Sequence, residues 1–387
     1  MITLDYTRTC FIVAACCGIL FLIQLLYLFI VYARMYQASR KQTQEAANTG
    51  NCPPLSVIIV TKDSGSILKE NLPPILEQDY PTFEVIVVND QSAGEDEEIL
   101  KLLGNKYPNL YHTFIPQTAR YISRKKLGIA MGIKASRYEW IVVTEPTCRP
   151  RSNQWLKNLA THFNEGTEIV LGYCGYTEGK GLFRKRVKAD NLFQSMRYLG
   201  AALNHHPYMG IGKNLAYRKS SYTHHKGFAE QLPLLRGDDD LFINSLANSN
   251  NTAVALHPDS FMEQQFPPYK RIWYEEKVSR LVTGNFYKGT ARFMNGLETW
   301  TCALFHLFTI GGLVLSISCH EWIFTAIIAV LWLIRFIRTM VIFQKTAHAT
   351  GEKSCCIFPI FDWLRPLWAL QIKIHYWRRT KTDFLRK

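Results

Sequence analysis

Three aspartates stand in a row, Asp238, Asp239 and Asp240, in the stretch "LLRGDDDLFINSLAN" at residues 234–248. Adjacent carboxylates repel, and an ionised carboxylate is costly to bury. Like-charge neighbours raise the pKa of one member of such a cluster, which suits it to accept a proton. More acids follow short β-branched runs: "LSVIIVTKD" (55–63) closes on Thr61 and Asp63, "FEVIVVND" (83–90) closes on Asp90, and "YEWIVVTEPTCRP" (138–150) passes through Glu145. An acid just past a strand end can accept hydrogen bonds from a base or a ribose, or it can merely cap the following helix. Three acidic strand ends in one crevice point to a nucleotide site.

The elements that must position these side chains follow from the apolar pattern. The three runs above, with a fourth at "EIVLGYCGY" (168–176), are continuous apolar stretches of the kind buried on both faces of a parallel sheet. Helix-like stretches at 66–77, 95–104 and 123–136 alternate with them, which is the α/β pattern. Ligands of open α/β sheets bind beyond the carboxyl ends of the strands, where the acids fall. "LFINSLAN" reads as a helix with Asp240 as its N-terminal cap. That leaves Asp238 on the approach, free to point into the cleft.

The chain has 387 residues and a net charge of +14. Residues 11–33 carry no charge and are long enough to cross a bilayer. The run is too long for a cleaved signal peptide and reads as a retained anchor. Apolar runs at 300–319 and 322–343 are separated only by His320 and Glu321, a tight transmembrane hairpin. Arg335 and Arg338 in its second arm either snorkel or face the protein. Arg34, Arg40 and Lys41 follow the first span and Lys345 and Lys353 the third, so the positive-inside rule puts the middle of the chain in the cytoplasm. The expected organisation is an anchor and juxtamembrane linker (1–49), a cytoplasmic α/β domain (50–295), a hairpin (296–345) and a basic-aromatic, interfacial tail (346–387) interrupted by Pro359 and Pro366. The basic run "FRKRVK" at 183–188 reads as a lipid-phosphate or headgroup contact, or as a solvated helix face. Ten scattered cysteines, with adjacent pairs at Cys16–Cys17 and Cys355–Cys356 and no CxxC spacing, exclude a disulfide framework or structural zinc site. No nucleic-acid partner is expected, because no zinc-finger, RNA-binding or basic-helix pattern is present.

The ordered set "LSVIIVTKD", "DYPTFEVIVVNDQS", "SRKKLGIAMGIKASRYEWIVVTEPTCRPRSNQWL", "YMGIGKNLAYRKS", "KGF" and "GDDDLF" resembles the family 2 glycosyltransferases of the GT-A fold, in their membrane-anchored bacterial branch. The resemblance covers about residues 50–290 and the arrangement of spans. It implies a Rossmann-like nucleotide-sugar-binding domain with a mostly parallel sheet. It implies inverting transfer of a sugar from a UDP- or GDP-sugar to an acceptor, at the cytoplasmic face of the inner membrane. By its implication Asp63 and Asp90 contact base and ribose, and Lys125 or Lys126 lies near the nucleotide. Glu145 stands at the first acid of the "DxD" motif, and Asp238 is the catalytic base, with Asp239 sharing that role or binding the acceptor. Gly212, Asn214 and Asp240 fall on the acceptor side.

Two departures qualify the match. The second "DxD" acid is Thr147, so Glu145 and Thr147 make a weakened site for Mg²⁺ or Mn²⁺, and Arg149 or Arg151 is an alternative source of positive charge. Where relatives carry a Gln-x-x-Arg-Trp-type motif, this chain has "WYEEKVSRL" (273–281). Glu276, Lys277 and Arg280 replace it, and Trp273 stands in as the acceptor platform. Three spans are too few to enclose a polymer channel, so single transfer to a membrane lipid or lipid-linked acceptor is expected. The alternative is a catalytically weakened scaffold subunit of a glycan-assembly complex.

Overall fold

The computed structural model describes residues 6–45, 52–90, 94–116, 123–353 and 358–378. The Cys355–Cys356 pair and the basic end of the tail lie outside them.

The chain begins with a long helix: α1 (Tyr6–Tyr27), a π-helical turn (Leu28–Tyr32) and α2 (Ala33–Gln44). Strands and helices then alternate through β1 (Leu55–Thr61), α3 (Gly65–Leu76), β2 (Phe83–Asn89), α4 (Glu95–Lys106), β3 (Leu110–Phe114), α5 (Arg124–Ala135), β4 (Trp140–Thr144), β5 (Cys148–Pro150), α6 (Trp155–Ala160), β6 (Ile169–Gly172), β7 (Cys174–Tyr176) and α7 (Leu182–Leu203). Next come β8 (Leu215–Arg218), α8 (Lys219–His224), α9 (Asp240–Leu246), β9 (Thr252–Ala255), β10 (Met262–Gln264) and α10 (Lys270–Gly284). The chain closes with α11 (Ala291–Ser318), α12 (Trp322–Ala349) and α13 (Phe358–Trp377).

A seven-stranded sheet has the order β3-β2-β1-β4-β8-β6-β9, and β8 alone runs against the others. The α/β expectation, with a mostly parallel sheet, is met. A second sheet, β5-β10-β7, joins residues 88 to 116 positions apart, and no local pattern announces it. The β-branched runs of β1 and β2 are buried on both faces, as continuous apolar strands require. Helix α5 lies unusually close to the sheet. A Cβ added at Gly128 would come 2.7 Å from Val60, and one at Gly132 would come 2.6 Å from Ile58. These two glycines share one helix face and let α5 pack closely over β1 and β2.

The apolar interior does not stop at the membrane segments. Tyr32, Met35, Phe343, Ala347 and Phe361 belong to the same buried cluster as Ile58, Tyr217 and Phe242. Three helical stretches are long and apolar enough to cross a membrane: Tyr6–Gln44, Ala291–Ser318 and Trp322–Ala349. Large apolar side chains such as Phe11, Ile19, Leu307 and Ile323 are exposed on them, as hydrocarbon contact requires. Arg335 faces the protein, donating to Asp362 of α13 at 2.7 Å and to Gln24 of α1 at 3.0 Å, while Arg338 stacks over Phe29. The tail differs from the sequence expectation. Pro366 does not break it but sits inside the 20-residue helix α13, held by Asp362 and by Arg365, which donates to Glu298 at 2.7 Å. Cys302, His306 and Asp362 bring ligand atoms within 4.8 Å of one another. Arg335 already donates to both Asp362 and Cys302, so that cluster already holds a cationic group. Arg186 and Lys188 of the basic run "FRKRVK" are also packed inward. Arg186 lies 4.3 Å over Trp368 and Lys188 pairs with Glu352 at 3.1 Å.

Candidate active site

Strands β1, β2 and β4 are mutually parallel, so their carboxyl ends share one edge of the sheet. The amide of Asp90 donates to the Thr61 carbonyl at 2.8 Å, which brings the first two strand ends together. Asp90 is buried and is held by Arg124 at the start of α5, with Lys62 3.8 Å away. Asp63 is exposed, with a left-handed φ of 46°. Thr61 is fully buried, and its hydroxyl donates to Asp96 at 3.1 Å. Asp96, which also accepts from the Ser64 amide at 2.9 Å, escaped the sequence reading. Its only local signal is its place in the acidic first turn of α4.

Beside these strand ends opens a cleft of about 450 Å³, lined among others by Lys125, Glu145, Thr147, Lys213, Arg236, Asp238, Asp239 and Arg280, a size suited to a small ligand. Lys125 is its centre. Its Nζ lies 2.8 Å from Glu145 Oε1 and 2.9 Å from Asp238 Oδ2. Burial opposes the charge on Lys125, but Asp238, Glu145 and Asp239 outweigh it and raise its pKa. Burial likewise opposes ionisation of Asp238 and Glu145, and Lys125 outweighs it, holding both carboxyls below their ordinary range. Strand-end acid and aspartate cluster, 93 positions apart in the chain, therefore meet on one ammonium group.

The adjacent lysine does something else. Lys126 is fully buried and donates to the carbonyls of Gln231, Leu234 and Arg236 at 2.5, 2.8 and 2.9 Å. It ties down the loop that delivers the aspartates, so of the two lysines only Lys125 enters the cleft. The loop turns at Gly237, where φ is +101°, a conformation natural to glycine.

The three aspartates diverge. Asp238 reaches Lys125. Asp239, not Asp240, precedes the helix and caps it, accepting from the Asp240 amide at 2.7 Å and the Gly212 amide at 3.1 Å, with Arg280 3.8 Å away. Asp240 turns inward: Thr283 and Tyr287 donate their hydroxyls to its Oδ2, and the Leu241 amide donates to Oδ1 at 2.8 Å. Burial and the neighbouring Asp239 push its carboxyl up to about 6, against Arg280 and Thr283. The raised carboxyl foreseen for the cluster is thus that of Asp240, which lies on the cleft wall beside Asp238 and Asp239 with its oxygens bonded inward.

Helical geometry sorts the 273–281 segment. Glu276 and Arg280, four apart on α10, face the cleft, where Glu276 pairs with Lys213 at 3.1 Å. Trp273 and Lys277, also four apart, face α7. Trp273 is 2% exposed under Phe183 and Arg186, and Lys277 pairs with Asp190. Trp273 therefore offers no platform to the cleft. Phe266, stacked on Tyr176 at 4.9 Å, lies on the cleft wall instead. Asn214 is an internal strut, accepting from Trp155 and donating to the carbonyls of Tyr173 and Ser260. Lys213, its neighbour in "GIGKN", is the cleft residue of that segment.

The donor set expected for a divalent cation does not fit one. Glu145 and Asp238 already share an ammonium ion, and Thr147 supplies a hydroxyl where a hard cation favours a carboxylate. Arg149 and Arg151 are not among the residues lining the cleft. Arg149 pairs with Glu263 at 2.7 Å and Glu70 at 3.1 Å, and Arg151 pairs with Glu352 at 3.1 Å.

Residues 56–225 match the family model described as "Glycosyl transferase family 2". The chain carries a family 2 glycosyltransferase domain. A curated Haemophilus influenzae protein described as "Uncharacterized glycosyltransferase" is 27% identical over 130 residues, covering 31% of this chain and 36% of that protein. Among solved structures, the mannosyltransferase PcManGT from Pyrobaculum calidifontis, in complex with GDP-Man and Mn²⁺, superposes with a TM-score of 0.55 at 16% identity, over 92% of this chain and 99% of that one. TarS of S. aureus in complex with UDP gives a TM-score of 0.42 at 18% identity, over 64% of this chain and 70% of that chain. The likeness to PcManGT is one of fold: a GT-A domain flanked by apolar N- and C-terminal helices. The family match ends at residue 225 and does not reach the aspartate cluster.

Proposed function

We propose that the protein is a membrane-anchored inverting glycosyltransferase, moving one sugar from a nucleotide diphosphate sugar to a lipid-linked or glycolipid acceptor at the cytoplasmic face of the inner membrane. The observation that carries this reading is the meeting of Glu145 and Asp238 at Lys125, in a cleft at the carboxyl ends of parallel strands. The acceptor oxygen bonds to the anomeric carbon as that carbon's bond to the diphosphate oxygen breaks. The electron pair leaves with the diphosphate, and the hydroxyl proton passes to Asp238. In-line attack opposite the leaving group inverts the centre. Asp63 and Asp90 serve the nucleoside, a UDP- or GDP-sugar being the donor class; PcManGT binds GDP-Man, a donor of this kind. Asp239, held by the Gly212 amide and near Arg280, orients the acceptor.

A membrane-borne acceptor is supported by continuity from cleft to apolar surface. Helix α10 supplies Ile272, Glu276 and Arg280 to the cleft wall and packs against α13. On α13, Ile360, Trp363, Leu367, Leu370, Ile374 and Trp377 are exposed at helical spacing, the stripe of a helix lying in a bilayer surface. The basic flanks of the spans support the cytoplasmic placement.

The test is nucleotide release and lipid labelling by the full-length protein in membranes, over a panel of UDP- and GDP-sugars. Asp238→Asn is expected to lower kcat by about 10²–10⁴-fold, the contribution of a positioned base, with nucleotide binding retained. A scaffold would show no transfer with any donor, and a deletion strain would be complemented equally by both forms.

A further inference from the structure

We propose that Lys125 takes the place of the divalent cation in this glycosyltransferase, so that its ammonium group neutralises the departing diphosphate and transfer proceeds without metal. The inference rests on the reading above and names the group that serves its leaving side. Lys125 Nζ already occupies the point between Glu145 Oε1, at 2.8 Å, and Asp238 Oδ2, at 2.9 Å. A divalent ion held by Glu145 would compete for the same oxygen and sit against a fixed positive charge. The residue that would complete its coordination is Thr147, a hydroxyl. The two arginines that follow Thr147 are committed elsewhere: Arg149 to Glu263 and Glu70, Arg151 to Glu352 and to the Thr350 carbonyl.

The fold supports the substitution in three ways. Gly128 and Gly132 press α5 onto the sheet, fixing the height of its first turn over the strand ends. Lys125 stands in that first turn, where the helix dipole adds positive potential for an anion. Lys213, 92% buried by its 8% exposure, lies on the same cleft wall as a second ammonium group, paired with Glu276 at 3.1 Å. The step balances without further reactants. Lys125 stays protonated and donates N–H bonds to the leaving phosphate oxygen, while the acceptor's proton goes to Asp238. As the diphosphate draws the ammonium group toward it, Asp238 loses its resident cation and becomes the better proton acceptor.

The experiment uses the full-length protein in detergent with two readouts. The first is nucleotide release in excess EDTA and in Mn²⁺. Equal wild-type rates are expected. Lys125→Met should lose about 10²–10³-fold in kcat, the cost of one transition-state charge partner, and should regain part of that loss with Mn²⁺. Lys125→Arg should stay metal-independent, which keeps the test decisive if Lys125→Met fails to fold by circular dichroism. The second readout is Mn²⁺ binding by electron paramagnetic resonance, independent of turnover. Wild type should bind no Mn²⁺ in the cleft, and Lys125→Met should bind one that Glu145→Gln removes. Wild-type turnover abolished by EDTA and restored by Mn²⁺, or a wild-type Mn²⁺ signal lost in Glu145→Gln, overturns the inference and leaves the glycosyltransferase reading intact. No turnover with any donor, with or without Mn²⁺, counts against that reading, and the resonance measurement still decides the cation.

Discussion

Asp240 makes a quantitative prediction. Its carboxyl is pushed from the ordinary 3.8 up to about 6 by burial and by Asp239, so between those pH values the folded chain holds a proton that the unfolded chain has lost. Stability from this group is fully present below pH 3.8 and is lost as pH rises through about 6. At about 1.4 kcal/mol per tenfold change in proton affinity, the loss at neutral pH is about 3 kcal/mol. Asp240→Asn should remove it with little disturbance. The amide oxygen can accept from the Leu241 amide, and the NH₂ can donate to the hydroxyls of Thr283 and Tyr287. Each hydroxyl then has another acceptor in place, the Arg280 carbonyl at 3.2 Å and the Met209 sulfur at 3.7 Å. Denaturant melts of the detergent-solubilised protein, read by tryptophan fluorescence near pH 4 and pH 7.5, are the assay. The stability gained by Asp240→Asn over wild type should be about 2.5 kcal/mol larger at the higher pH. A variant less stable than wild type at pH 7.5, or a pH-independent difference, would refute the account of Asp240 as a buried carboxyl ionised at a cost.

Two further predictions concern the frame around the cleft. Gly132→Ala places a methyl group 2.6 Å from Ile58; overpacking of this kind costs about 1–3 kcal/mol and should lift α5, so kcat falls while the membrane helices stay folded. Asp362→Leu alone strands the buried Arg335 guanidinium and should cost about 3–5 kcal/mol in thermal stability, whereas the Arg335→Met, Asp362→Leu double variant should recover most of it; equal losses in the single and double variants would show that Arg335 is not the group left stranded.

Much of the architecture was legible because its causes are local. β-branched runs bounded by turn residues mark β1, β2, β4 and β6, and apolar stretches of about 20 residues mark the membrane helices. Strand-end acids are visible because parallel strands end at one edge. The second sheet was hidden because each of its strands is three residues long, too short to show a period. The fate of the tail was hidden because Pro366 reads as an interruption, whereas Asp362 and Arg365 bind α13 to residues far away in the chain.

The amino-acid sequence by itself determined the α/β order, the apolar spans and which acids stand at strand ends, since hydropathy and chain spacing set these. Only the tertiary structure decided what neighbouring residues do. Lys125 and Lys126 are consecutive, yet a helix turns about 100° per residue, so one enters the cleft and the other grips three carbonyls. Asp238, Asp239 and Asp240 are chemically identical, and their charge partner, backbone amide partner and buried hydroxyls come from α5, the Gly212 segment, and α10 with the residues just after it. Side-chain type states what a residue can do; which direction it faces, and against what charge, is set by chain segments that no local pattern brings together.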